Sequence, residues 1–330
     1  MEFRKFGSTD LKVSTIGFGA WGIGGPAMAG DIPIGWGKVD DKTSTLALKK
    51  SLDRGINFYD TANFYGLGHS EELLGKGFGN RQDVIIASKV GHRLDENQSI
   101  YLDYSKKHII EACEQSLKRL KRDVIDYHQL HTAKVLDFEN GECIEAMEQL
   151  KKEGKIRYWG VSLNTFNPEP EADYLLENNL GDGLQIVFNI INQKAKHIID
   201  KSLELSKGII ARMPLQFGLL TGKFDADSKF PQDDHRAFRF NKEILKKSLL
   251  ALEDIWDTTS DYNLSKTSLS LSFITSYRGV STVIPGIKTE QQALDNTTDI
   301  TQLNEETMHY ILNKYENDFM PIVDLMKKQG

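Results

Sequence analysis

The chain has 330 residues, of which 39% are hydrophobic and 27% charged, a composition typical of a globular protein. The formal net charge of -6 at pH 7 argues against a large nucleic-acid-binding surface, so we expect no nucleic-acid partner. The two cysteines, Cys113 and Cys143, are too few for a disulfide scaffold, and they favour a reducing compartment.

No segment of the sequence predicts contact with a membrane. The first six residues, MEFRKF, are too polar for the apolar core of a secretory signal. No apolar run approaches the ~18 residues of a membrane-spanning helix. We therefore expect a cytoplasmic protein without membrane partners.

Predicted strands and helices alternate along most of the chain. Turn-forming residues between two short runs predict a hairpin over residues 3–14. Strands are then predicted at 15–18, 57–59, 84–88, 125–130, 158–161, 184–188, 209–211 and 282–284. Helices are predicted at 43–54, 70–77, 106–120, 143–152, 198–206 and 265–276, with a terminal helix over 305–330. This alternation predicts an α/β fold with a parallel sheet, either closed or doubly wound, and no linker divides residues 1–330.

Two irregular stretches interrupt this pattern, at residues 22–38 and 217–239. Long loops in compact domains are often functional, and both stretches follow strands, so we expect them on the catalytic face of a barrel. Residues 17–22 match the Gly-x-Gly-x-x-Gly string of dinucleotide-binding folds. No helix is predicted to begin at Gly22, so a loop with a close backbone approach is the better interpretation.

Polar residues stand at or just beyond the ends of the second, third and fourth predicted strands. They are Asp60 and Tyr65, then Lys89, then His131. In a barrel of parallel strands these ends share one face, on which active sites are built. We therefore expect an acid, a phenol, an ammonium and an imidazole in one pocket. His128, three residues before His131, is predicted to face the other side of its strand.

This set of groups can protonate a carbonyl oxygen while a hydride reaches its carbon. A free tyrosine, with a pKa near ~10, is a poor acid–base group at neutral pH. A neighbouring ammonium favours the phenolate, and a carboxylate keeps that ammonium charged and aimed. A neutral histidine can donate a hydrogen bond to the carbonyl oxygen. No metal site is predicted.

The chain resembles the aldo-keto reductases over nearly its whole length. The segments that carry the resemblance are GINFYDTA with Tyr65-Gly66, SEELLG, Ser88-Lys89, Ile125-Asp126 with Gln129-Leu130-His131, GKIRYWGVS, Pro214-Leu215 with GLLTGK, and Ile284-Pro285-Gly286. The resemblance implies a (β/α)8 TIM barrel with an N-terminal hairpin and an extra C-terminal helix. It also implies NADP(H), or less commonly NAD(H), bound in an extended form.

The resemblance further implies the site residues. The catalytic tetrad falls at Asp60, Tyr65, Lys89 and His131. The residues expected to contact the cofactor run from the nicotinamide to the adenosine and 2′-phosphate: Trp21, Asp60, Ser162, Gln185, Arg212, Pro214, Leu215, Gly218, Leu220, Lys223, Gly286, Lys288, Gln292 and Asn296. Glycine backbones and helix N-termini suit phosphate groups.

Three positions depart from the pattern of the family. Leu163 stands where many members have an asparagine that contacts the nicotinamide carboxamide. Arg212 replaces an aromatic residue that stacks on the nicotinamide, although a guanidinium plane can also stack. Gln292 replaces an arginine that grips the 2′-phosphate. Lys288 remains there, and Arg236 in the second irregular stretch is a further candidate.

Two other functions remain open at this point. One is a regulatory module that keeps the barrel and the cofactor but has slow chemistry, as in channel-associated members of the family. The other is a barrel lyase or isomerase in which Lys89 forms a Schiff base, which requires a depressed lysine pKa. The tetrad favours a reductase or alcohol dehydrogenase.

The substrate and the oligomeric state do not follow from the sequence. Loops at 22–38, 93–104 and 224–240 are expected to shape the substrate pocket. Their polar and aromatic residues suit a sugar or polyol-derived carbonyl as well as an aromatic aldehyde: Trp36, His92, Arg93, Tyr101, Tyr104, His235 and Phe238.

Overall fold

Short apolar runs form the strands of a parallel barrel in the computed structural model. The structure describes residues 1–30, 32–35, 39–231, 234 and 236–329. The barrel strands are β1 Phe18–Gly19, β2 Phe58–Asp60, β3 Ile85–Val90, β4 Ile125–His131, β5 Ile156–Ser162, β6 Gly183–Val187, β7 Gly208–Arg212 and β8 Thr282–Ile284. The eight strands follow one another in chain order within one sheet.

The first and last strands meet and close the sheet. Parallel bridges join Ile16 to Val283 and Gly19 to Gly286. A side chain at Gly19 would bring a Cβ to 3.0 Å from the carbonyl oxygens of Ile284 and Pro285. Gly19, in the glycine string of residues 17–22, therefore allows the barrel to close. Only a 3₁₀ turn follows this string, and not the helix that a dinucleotide-binding turn would require. The expected TIM barrel is confirmed, and a doubly wound sheet is excluded.

Helices surround the barrel, one after each strand. They are α1 Asp41–Asp53, α2 His69–Gly77, α3 Lys106–Leu120, α4 Glu142–Lys152, α5 Glu169–Glu177, α6 Lys196–Glu204, α7 Lys266–Ser276 and α8 Glu290–Asp295. Further helices lie outside this repeat, at Val135–Asn140, Arg236–Arg239, Lys242–Thr258, Glu305–Lys314 and Met320–Gln329. Within the described ranges, none of the helices combines the length and apolar character that crossing a bilayer requires.

The interior of the barrel changes from apolar to polar along the strands. Ile85, Ala87, Phe58 and Tyr127 pack in one interior cluster. Successive side chains of a strand alternate between its two faces, so Lys89 points the same way as Ala87. By the same rule Asp60 follows Phe58 on the inner face. The apolar lower layers thus lead directly into a charged layer at the carboxyl ends.

Phe6 closes the amino end of the barrel. It leads out of the hairpin strand Phe3–Lys5, which pairs antiparallel with Lys12–Ser14. The ring is fully buried and meets the Tyr127 ring edge-on at 4.9 Å. Gly183 leaves room for it, because a Cβ there would lie 2.8 Å from the Phe6 ring. The expected N-terminal hairpin is therefore present, and it plugs the end opposite the charged layer.

The structure contains elements that were not predicted, among them the helices Glu169–Glu177, Lys242–Thr258 and Glu290–Asp295. A hairpin of His92–Leu94 and Ile100–Leu102 follows β3 and was not predicted. The terminal helix is interrupted by a π turn at Tyr315–Phe319. Pro321 lacks the amide hydrogen that a continuous helix would use at that point, which accounts for the local widening.

Removing the Phe6 plug should destabilise the barrel. Phe6→Ala leaves a cavity among packed rings, and such changes cost about 3–5 kcal/mol of unfolding free energy. Phe6→Leu should cost less, since it leaves a smaller cavity. Equilibrium urea unfolding measures both. At a temperature where both variants are folded, their turnover should match that of wild type. A folded variant with reduced turnover would contradict the conclusion that Phe6 acts only on stability, at the end of the barrel opposite the charged layer.

Candidate active site

Strand register brings the predicted polar residues together at the carboxyl end of the barrel. Lys89 on β3 pairs with Gln129 on β4. His131, at the end of β4, pairs with Ser162 on β5, and Ser162 pairs in turn with Gln185 on β6. Because neighbours in register share a face, the polar side chains form one continuous layer.

The Lys89 ammonium is the centre of this layer. Its Nζ lies 2.5 Å from Asp60 Oδ2 and donates to the carbonyl oxygen of Thr61 at 2.8 Å and to Tyr65 Oη at 3.2 Å. The side chain is fully buried. Burial by itself would lower the pKa of Lys89, but the Asp60 carboxylate and Tyr65 outweigh it, so this pKa lies above its usual value. The lysine is therefore charged at neutral pH.

Two glutamine amides hold the other oxygen of Asp60. Gln185 Nε2 donates to Asp60 Oδ1 at 2.7 Å, and Gln129 Nε2 donates to it at 3.1 Å. Ser162 Oγ donates to Gln185 Oε1 at 3.2 Å. The carboxylate is thus fixed on both sides. Gln129 was missed as a site residue, although its position two residues before His131 places it on the same face of β4.

His131 lies across the pocket from Tyr65. Their ring centroids are 6.1 Å apart and the rings meet edge-on at 84°. Burial lowers the pKa of His131 well below its usual value, and the positive charges of Lys89 and Arg212 act in the same direction. The imidazole is therefore neutral and carries one donor nitrogen. His128 is fully buried and lies outside the cavity lining, as its place in the strand predicts.

A cavity of about 680 Å³ opens over this layer. Leu220 and Asn296 are buried outside its lining. The other residues expected to contact a cofactor line it: Trp21, Asp60, Ser162, Gln185, Arg212, Pro214, Leu215, Gly218, Lys223, Gly286, Lys288 and Gln292.

The lining of the cavity fits a nicotinamide dinucleotide. Ser162 and Gln185 offer polar groups beside the tetrad. A Cβ added at Gly286 would meet no atom of the described residues within 4 Å, so a side chain there would project into the space that a ligand needs. Lys223 and Lys288 provide cations suited to phosphates in the same cavity.

The three residues that depart from the family pattern take part in two sets of hydrogen bonds. Arg212 donates through Nη2 to the carbonyl oxygen of Leu163 at 2.9 Å and to Thr165 Oγ1 at 3.1 Å. Gln292 Oε1 accepts from the backbone amide of Lys288 at 2.7 Å. Leu163 and Arg212 are thus joined by a hydrogen bond, and Gln292 supports the backbone that carries Lys288.

All three substrate loops line the cavity, although not through every polar and aromatic residue named for them. His92 lines it, whereas Arg93, Tyr101 and Tyr104 do not. Arg93 pairs with Asp103 at 2.7 Å, and Tyr104 Oη donates to the His131 carbonyl oxygen at 2.5 Å. Trp36, His235 and the side chain of Phe238 lie outside the described residues.

Comparison with known proteins gives the family. The Aldo/keto reductase family profile matches residues 15–316. The chain belongs to this family. It is accordingly an oxidoreductase of the type that acts on carbonyl groups with a nicotinamide cofactor and a small-molecule substrate.

Individual relatives are similar to this aldo-keto reductase over almost their whole length. Aldo-keto reductase YhdN of Bacillus subtilis (strain 168) is 32% identical, over 96% of this chain and 94% of its own. The holo form of aldo-keto reductase AKR11C1 from Bacillus halodurans has a TM-score of 0.77 at 28% identity, covering 96% of this chain and 97% of its own. The glycerol dehydrogenase AKR11B4 from Gluconobacter oxydans has a TM-score of 0.80 at 26% identity, covering 94% of each chain.

The charged state of Lys89 predicts that no Schiff base forms on it. A protonated amine is not a nucleophile, and Asp60 keeps Lys89 protonated. Incubation with an aldehyde and borohydride, followed by peptide mapping, should leave Lys89 unmodified. Lys107, whose side chain is 84% exposed, serves as the internal control for trapping. A stoichiometric adduct on Lys89 would favour a lyase or isomerase instead.

Proposed function

We propose that the protein interconverts an aldehyde or ketone and its alcohol, with Tyr65 as the proton donor and NADP(H) as the preferred cofactor. The observation that carries the proposal is the contact of Lys89 Nζ with both Asp60 and Tyr65 Oη, beside a neutral His131 in one cavity. The glycerol dehydrogenase among the relatives supports a polyol- or sugar-derived substrate.

Each residue of the tetrad has its own role in reduction of the carbonyl group. The bound nicotinamide supplies the hydride that reaches the carbonyl carbon. Tyr65 donates its proton to the oxygen, and the Lys89 ammonium at 3.2 Å stabilises the phenolate that remains. Asp60 holds that ammonium in place. The neutral imidazole of His131 donates a second hydrogen bond, which orients the carbonyl.

The preference for NADP(H) rests on cations at the cavity end that holds Lys288. Lys288 is half-buried there, and burial lowers its pKa, as does the nearby charge of Arg236. Arg236 also lines the cavity and pairs with Asp234 at 2.5 Å. A phosphate monoester in this region would meet the Lys288 ammonium, whereas a ribose hydroxyl would gain less from it.

Tyr65→Phe should abolish most of the turnover. General acid–base groups are typically worth about 10²–10⁴ in rate, and the variant keeps the ring while removing the proton. NADPH binding, followed by fluorescence quenching, should stay near wild type. Near-normal turnover in the variant would remove Tyr65 from this role. Wild-type protein that binds NADPH but reduces no aldehyde in a broad panel would favour a regulatory module.

Lys288→Ala should weaken NADPH binding more than NADH binding. One charge-assisted contact is worth roughly ten- to a hundred-fold in affinity. Fluorescence titration with each cofactor measures the difference. Lys223→Ala is the matched control, because Lys223 is expected along the pyrophosphate and should affect both cofactors alike. Equal losses from Lys288→Ala, or a wild-type preference for NADH, would contradict the assignment.

A further inference from the structure

A second imidazole lies against His131 in the cavity. His92 begins the strand that follows β3, and its ring centroid is 4.3 Å from that of His131, at an interplanar angle of 62°. On its other side the Phe64 ring lies 5.4 Å away. The tetrad accounts for His131, but nothing in the proposed chemistry so far uses His92.

The hydrogen-bonding capacity of His92 is directed at the cavity. Its Nδ1 is buried and has no hydrogen-bond partner among the described residues, while the ring lines the cavity. The nitrogen that faces the cavity is therefore Nε2. Burial lowers the pKa of His92 to about 4, and the charge of Lys89 contributes. A neutral imidazole carries one proton, and with that proton on Nε2 the ring offers a donor to a ligand.

The surroundings of His92 limit what that ligand can be. The Phe64 ring packs 5.4 Å from the His92 ring, so apolar surface accompanies the one imidazole nitrogen. A small organic group with a single oxygen suits such a place. A neutral imidazole offers a carboxylate no charge partner, and the Lys89 ammonium is already paired with Asp60, so the oxygen is that of a hydroxyl or a carbonyl.

We propose that His92 is a specificity-determining residue, which binds an oxygen on the carbon next to the reacting carbonyl. The reacting oxygen is held between Tyr65 and His131, and His92 is in ring contact with His131, so the nearest position it can serve is the adjacent carbon. The preferred substrates are then α-hydroxy carbonyl or α-dicarbonyl compounds. This inference rests on the proposed carbonyl reduction and deepens it.

The first test compares substrates on the wild-type protein. Glyceraldehyde carries a hydroxyl next to its carbonyl, 3-hydroxypropanal carries it one carbon further, and propanal has none. With NADPH, kcat/KM should be highest for glyceraldehyde, about tenfold above the other two, corresponding to one hydrogen bond in a desolvated pocket. Equal values for glyceraldehyde and 3-hydroxypropanal would overturn the adjacency.

The second test uses two variants of His92. His92→Phe keeps an aromatic ring against His131 but removes both nitrogens, whereas His92→Asn keeps a hydrogen-bond donor. Each variant is compared with wild type on the same aldehyde, so hydration of the aldehyde cancels. The ratio of kcat/KM for glyceraldehyde to that for propanal should fall about tenfold in His92→Phe and be largely restored in His92→Asn.

The outcomes separate this inference from the function on which it rests. Equal losses on both aldehydes in His92→Phe would show that His92 only supports His131, and would overturn its role in specificity. Wild-type protein that reduces propanal without preferring glyceraldehyde would overturn the inference while leaving the reductase function intact. Wild-type protein that oxidises neither NADPH nor NADH with any aldehyde would overturn both.

Discussion

The buried ion pair between Lys89 and Asp60 is the interaction on which the rest of the site depends. Two charges in a dry interior are stable only when they are paired and their remaining hydrogen-bonding capacity is satisfied. Here the ammonium contacts Asp60, the Thr61 carbonyl oxygen and Tyr65, and the carboxylate accepts from Gln129 and Gln185. Removing either member would leave the other charge buried without its partner, so the pair also fixes the geometry around it.

Burial, together with the charge of Lys89, keeps the neighbouring imidazoles neutral. The positive charge of Lys89 is among the causes that lower the pKa of both His131 and His92. Two neutral imidazoles therefore lie beside the cations of Lys89 and Arg212. A neutral imidazole donates a hydrogen bond without adding charge, which suits a carbonyl oxygen.

The side of the cavity expected to face the cofactor contains no comparable buried ion pair among the contacts described above. Its side chains instead form hydrogen bonds to the main chain of neighbouring residues. Arg212 binds the Leu163 carbonyl oxygen, and Gln292 accepts from the Lys288 amide. At each of these positions the residue that departs from the family pattern makes a hydrogen bond to the main chain.

The sequence by itself predicted the alternation of strands and helices and the four polar residues at the strand ends. Because strand side chains alternate with a period of two, it also placed His128 on the face opposite His131. Tertiary structure decided the amides of Gln129 and Gln185 on Asp60, and the contact of His92 with His131. Periodicity is a local property that any strand expresses by itself. Contacts between strands depend on register and barrel closure, which arise only when segments far apart in the chain pair, so no spacing within the sequence encodes them.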